Sequence, residues 1–274
     1  MQRRQFLQTI AAASVAPQQG IAQTGHDLAV VNGRIMTMDS TCPAAEAVLI
    51  QNGKITIVGS NTEIEEHAAG IEHFDAQQRV VTPGFVDTHV HFEMTCLARE
   101  FQVPCHTPPY RNLEGIFAAL QQKVRSTPKN QWIIGRSSFG LARKIEDGRL
   151  ANRHELDAIT LDHPLALFSG LHVAMLNTPA LHELGLWERA KKPPRGVFID
   201  LEPSGTPSGI ATEVWDLLPG YSVKNVETAL RNHAHDTFIS KGTTTIGTIP
   251  YSPNDLRADQ MLQARGELPG RLRV

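Results

Sequence analysis

The chain changes its pattern near residue 80, and that change constrains the fold more than any other feature. From Asp27 to about Gln78, short apolar runs are punctuated by turn residues. "DLAVVNGRIMTMD" turns at Asn32-Gly33, and "AVLIQNGKITIVGS" turns at Asn52-Gly53 between two β-branched runs. Asn-Gly accepts positive φ at both central positions of a two-residue turn, so both steps are read as β-hairpins. Two hairpins this close together predict a small all-β module over residues 27–80. "NTEIEEHAAG" reads as a brief helix closed by Gly70.

Beyond residue 80 the apolar stretches "VTPGFVDTHVH", "QWIIGRS", "HPLALFSG", "GTTTIGTI" and "RLRV" are separated by longer segments of helical period. That alternation predicts βα units and a parallel sheet over 81–274. The clearest helix starts at Ser222 as N-cap and keeps Val223, Val226, Leu230, Ala234 and Phe238 on one stripe, with Gly242 past its end. "NTPALHELG" gives a second, with Thr178 as N-cap, Pro179 in the first turn and Gly185 as the stop. Strands that end in polar residues fit a β/α barrel, whose chemistry sits at the C-terminal ends of its strands.

The chain holds two His-x-His sequences, and geometry separates them. Residues i and i+2 of a strand project to one face, so His89 and His91, ending "TPGFVDTHVH", can converge on one ion from a rigid support. Asp87 shares that face and is placed to orient an imidazole. His233 and His235 lie on the predicted helix, about 200° apart at ~100° per residue, and cannot share a metal. The alternative for His89 and His91 is a strand end with two hydrogen-bonded histidines.

The net charge of −2 gives no electrostatic case for nucleic acid or an anionic membrane as partner. No segment reaches the ~20 apolar residues of a spanning helix. Residues 1–22 read as an export signal rather than as fold. Arg3 and Arg4 precede Phe6, Leu7 and the weakly apolar "TIAAASVA", in the manner of twin-arginine signals. The mature protein is therefore expected in the periplasm or outside the cell, free of the membrane. Cys42, Cys96 and Cys105 are an odd set with no C-x-x-C spacing, expected as small buried side chains.

A hairpin-rich N-terminal module running into "VVTPGFVDTHVH" resembles the amidohydrolase superfamily of metal-dependent hydrolases. "QWIIGRSSF", "NRHELDAITLDHPLALFSGLHVAMLNTPAL", "SGTPSGIATEVWDLLP" and "ISKGTTTIGTI" are similar to its YtcJ-like branch, in the same order along the chain. The resemblance implies an α/β fold: a small N-terminal β-sandwich followed by a TIM-like (β/α) barrel. It implies two metal ligands on the first barrel strand, here His89 and His91, for a divalent ion, zinc first and iron or another ion after it. It also implies hydrolysis of a carbon–nitrogen bond in a small amide-type substrate by metal-activated water. YtcJ-like members place a substrate-facing histidine where His172 stands, so His172 is the catalytic candidate. Leu171 here replaces the glycine of the family's Gly-His pattern, and the competing view of His172 is a loop histidine bonded to backbone near Asn177. Glu213 also matches a family position, with no role assigned. Arg136, after "WIIG", is set aside as a solvated arginine.

The stretch from Val81 to Val274 falls just short of the ~200 residues a barrel needs at minimum, and five strand candidates occupy it. The family's later histidines and its proton-shuttling aspartate are not found in 243–274. The chain is therefore expected to be an incomplete barrel, the N-terminal part of a longer enzyme. The alternatives are a catalytically inactive remnant and an exported small-molecule binding module. Open sheet edges would invite pairing of two copies.

Overall fold

The computed structural model describes residues 26–274, which divide after Pro83 into two compact units. The export segment expected at 1–22 lies outside the described residues. Among the described residues no helix is long and apolar enough to cross a membrane.

The first unit contains β1 (Leu28–Val31), β2 (Arg34–Met36), β3 (Ala44–Ala45), β4 (Ala47–Gln51), β5 (Lys54–Gly59), α1 (Asn61–His67), β6 (Glu72–Asp75) and β7 (Val80–Val81). They form two sheets, β5–β4–β1–β6 and β3–β2–β7. Strand alternation divides the apolar side chains between two small cores. Ala29, Val31, Ala47 and Leu49 pack with Ile64 of α1, while Val30 and Val48 meet Ile35 and Ala76.

Only one of the two Asn-Gly steps makes a hairpin. Asn52 and Gly53 take φ of 52° and 72° and close β4 onto β5, with Gln51 opposite Lys54. At Asn32-Gly33 the expectation fails, because β1 pairs with β4 and β6 whereas β2 pairs with β3 and β7. Asn32 does turn, at φ 54°. The Gly33 N–H then donates to Glu46 O and the Arg34 N–H to Arg79 O, so the turn hands the chain from one sheet to the other.

The second unit runs β8 (Phe85–Val90), α2 (Phe92–Phe101), β9 (Val103–Pro104), α3 (Leu113–Ser126), β10 (Ile133–Ser137), α4 (Arg153–Asp157), β11 (Leu165–Ser169), β12 (Val173–Leu176), α5 (Thr178–Glu183), β13 (Phe198–Leu201), β14 (Pro207–Thr212), α6 (Val223–Thr237), β15 (Thr243–Thr248), α7 (Pro253–Ala264) and β16 (Arg271–Arg273). The five stretches expected in one parallel sheet separate into two sheets. β8, β15 and β16 pair in parallel, whereas β10 and β11 belong to a six-stranded sheet ordered β13–β14–β12–β11–β10–β9. In that sheet β11, β12, β14 and β13 are successively antiparallel. The cause is loop length. Only Gly170, Leu171 and His172 join β11 to β12, far short of the dozen or more residues a parallel crossover takes.

The six-stranded sheet is covered on both faces. Ile133, Leu165, Leu167 and Met175 join one core with Leu113, Ile116 and Leu120 of α3. Ala166, Phe168, Ala174 and Leu176 join another with Leu181 of α5. The three-stranded sheet contributes Val90, Ile246 and Leu272 to a third core with α2, α6 and α7. The α6 stripe runs as expected, from a Ser222 cap whose side chain accepts the Asn225 N–H. For α5 the cap lies one residue earlier than expected. Asn177, fully buried, accepts the N–H groups of Ala180 and Leu165 and donates to the carbonyls of Thr160 and His163. Cys96 and Cys105 are buried as expected, but Cys42 is exposed, because it sits in the turn between β2 and β3 rather than on a strand.

Candidate active site

Strand β8 ends at Val90, so His89 is its penultimate residue and His91 the N-cap of α2. The His91 ring makes no capping bond and turns toward His89, with centroids 5.4 Å apart and edge to face. Two imidazoles on one tetrahedral ion are expected about 5 Å apart, given metal–nitrogen distances of ~2.1 Å. The separation of the two rings is that of two ligands on one cation. Among the described residues no group of three or more His, Cys, Asp or Glu is gathered for one. A glycine keeps the supporting strands close: a Cβ at Gly247 of β15 would stand 2.8 Å from the Thr88 carbonyl oxygen.

Asp87 does not orient an imidazole as expected. Its Oδ1 accepts the backbone N–H of His89 at 3.2 Å, the local bond a short carboxylate readily makes two residues on. That contact belongs instead to Tyr251, just past β15, whose hydroxyl lies 2.7 Å from His91 Nδ1 and 3.3 Å from its Nε2. Burial holds the His91 pKa below its usual value, with His89 and His172 adding to the effect.

His172 closes the short β11–β12 loop and lines a cleft of about 810 Å³ together with His91. Its Nδ1 lies 2.9 Å from Glu213 Oε1, and the Glu213 N–H donates to the His172 carbonyl at 2.9 Å. Glu213 holds φ at 56°, an uncommon conformation for a non-glycine residue, between the end of β14 and Trp215. The Trp215 indole N–H donates to Glu213 Oε2 at 3.3 Å, and its ring meets Tyr251 edge-on at 4.9 Å. Glu213 thus acquires a place that the sequence leaves open: it holds His172 through Nδ1, leaving Nε2 for the cleft. Asn177, near which a backbone partner for His172 is the competing expectation, is occupied with β11 and α5.

Arg136, set aside on sequence as solvated, belongs to the same cleft. It sits near the end of β10, its Nε donating to Gln102 Oε1 at 3.0 Å and Nη1 to Gly170 O at 2.9 Å. The guanidinium lies 4.5 Å over the Phe168 ring, and desolvation lowers its pKa to about 10. The alternation of β10, with Ile133, Gly135 and Ser137 buried, is the available signal that Arg136 points away from the α3 core. The second His-x-His behaves as the helix geometry requires: His233 Nε2 meets Glu100 at 2.7 Å, while exposed His235 pairs with Asp236.

The model of the amidohydrolase family matches residues 72–273, and the chain belongs to that family. It is 28% identical over 256 residues to the N-substituted formamide deformylase of Arthrobacter pascens, covering 89% of this chain and 46% of that protein. YtcJ of Bacillus subtilis is 27% identical over 220 residues, covering 77% of this chain and 40% of its own length. Among solved structures, an uncharacterized metal-dependent hydrolase from Pyrococcus horikoshii shares the fold, with a TM-score of 0.63 at 21% identity over 90% of this chain and 47% of its own. The chain spans less than half the length of these relatives.

Proposed function

We propose that this chain carries the N-terminal portion of a metal-dependent hydrolase of carbon–nitrogen bonds, with a small-molecule amide as substrate. The observation that supports it is the His89–His91 pair, 5.4 Å apart at the end of β8, in a chain of the amidohydrolase family. On this reading the three parallel strands β8, β15 and β16 begin a β/α barrel, and the first unit is its accompanying β-sandwich. His89 and His91 would hold the divalent ion, zinc first. Such an ion polarises a carbonyl and lowers the pKa of bound water toward neutrality.

The remaining steps belong to protein side chains. Glu213 holds His172 at Nδ1, so Nε2 is the nitrogen that can bond or exchange a proton with a substrate in the cleft. Tyr251 steadies the His91 ring through its hydroxyl. Met94, Ala98, Phe139 and Leu171 give the cleft apolar surface against which the uncharged part of a substrate can rest.

The test is zinc and iron analysis of the purified chain, with His89→Ala and His91→Ala beside it. Weak, saturable zinc uptake that either substitution abolishes is expected; uptake unchanged in both variants would sink the metal assignment. A catalytic zinc takes three protein ligands and an open position, so amide turnover by this chain alone is expected to be low. The export reading is tested separately: changing Arg3 and Arg4 to Lys should stop passage through the twin-arginine route.

A further inference from the structure

We infer that the substrate carries a carboxylate, and that Arg136 receives it. Deepening the amide-hydrolase reading, this assigns the substrate's charged end; the reacting end rests on that reading.

The cleft that holds His91 and His172 is also lined by Arg99, His106, Arg136 and His233, and no aspartate or glutamate lines it among the described residues. Two carboxylates touch side chains of its lining, and each is committed there, Glu213 to His172 and Glu100 to His233. Arg136 is the most demanding of these basic side chains. A charge withdrawn from water is costly unless it is paired, yet the partners of this half-buried guanidinium are the neutral oxygens of Gln102 and Gly170. Asp255 and Asp216 line a smaller neighbouring cavity with it. Asp255 accepts the N–H groups of Tyr251 and Ser252 at the start of α7.

The guanidinium is also held ready. Gln102 and Gly170 fix two of its donors, and Phe168 supports its face. Nη2 makes no hydrogen bond among the described residues. A planar fork fixed in place loses little entropy when a carboxylate arrives, and charge-assisted bonds to it are the strong ones. A neutral amide would leave that desolvated cation uncompensated.

The experiment titrates the purified chain with N-acetylglycine and with its neutral amide, N-acetylglycinamide, by calorimetry. N-acetylglycine is expected to bind at least about tenfold more tightly. Arg136→Met should erase the difference, and Arg99→Met should keep most of it. Acetate should compete with N-acetylglycine on the wild-type chain, which tests the anion site even if Arg136→Met fails to fold. Equal affinity for the two acyl compounds, or no binding of either, would overturn the inference; equal affinity would leave the amide reading standing. Acetate binding as tightly as N-acetylglycine, in an Arg136-dependent way, would support the anion site while sinking recognition of the amide.

Discussion

Strands β11 and β8 are both apolar runs with polar ends, yet they occupy opposite environments. All five residues of β11 are buried, and four of the six in β8 are exposed. β11 feeds two cores, Leu165 and Leu167 on one face, Ala166 and Phe168 on the other. β8 is packed by helices at Val90, while Phe85 and Val86 stay 58% and 61% exposed. Hydrophobicity along a strand reports what it can bury, and neighbouring elements decide how many faces are covered. The difference places stability in the six-stranded sheet and the candidate ligands on the open one.

The largest effect is expected at the buried amide beside β11. Asn177→Ala strands the N–H groups of Leu165 and Ala180 and the carbonyls of Thr160 and His163. At ~1–3 kcal/mol per buried orphan, the loss should be about 4 kcal/mol or more, read by thermal or urea unfolding. Leu167→Ala, in the same sheet, should cost about 3 kcal/mol through its cavity. A cost under about 1 kcal/mol for either would break the contrast.

A smaller effect tests the helix-covered side of the open sheet. Glu93, Asp255 and Asp259 are buried there, and the Asp259 carboxyl faces the Glu93 carboxyl. Burial first, then the Glu93 charge, pushes the Asp259 pKa up from its ordinary 3.8 to about 9. The folded chain therefore keeps this proton while the unfolded chain loses it as pH rises above about 4. Stability falls across that window, and the penalty is complete above about 9. Asp259→Asn should match the wild type near pH ~4 and exceed it at pH ~8 by several kcal/mol, roughly 1.4 kcal/mol for each pH unit above about 4. Equal stability at both pH values would contradict a buried neutral Asp259.

The smallest effect belongs to the exposed strand. Val86→Thr should change stability by no more than about 0.5 kcal/mol and lower self-association in light scattering. A loss above about 1.5 kcal/mol would show that a second copy or another layer covers this face.

The α6 stripe was legible because it depends on a local period, 3.6 residues for a helix; His91 stands just past β8 as the N-cap of α2, so the strand period that placed it beside His89 stops one residue short. The Asn52-Gly53 turn, like the stripe, was legible because its signal is local. Asn32-Gly33 carries the same dipeptide and joins different sheets, because the partners of Gly33 and Arg34 are Glu46 and Arg79. Glu213, Trp215 and Tyr251 are far from His91 in sequence, and nothing local announces that Tyr251 reaches His91 while Trp215 links Tyr251 to Glu213. Arg136 looked solvated because an arginine's identity says nothing about what the chain folds over it.

By itself, then, the sequence determined the family, the Asn52-Gly53 hairpin and the apolar stripe of α6. Tertiary structure alone decided that β10 and β11 leave the sheet of β8, that Glu213 holds His172 and that Arg136 is desolvated beside neutral partners. The physical reason is range. Backbone periods and turn preferences act over a few residues, whereas strand partners, burial and charge pairing are settled by groups that only folding brings together.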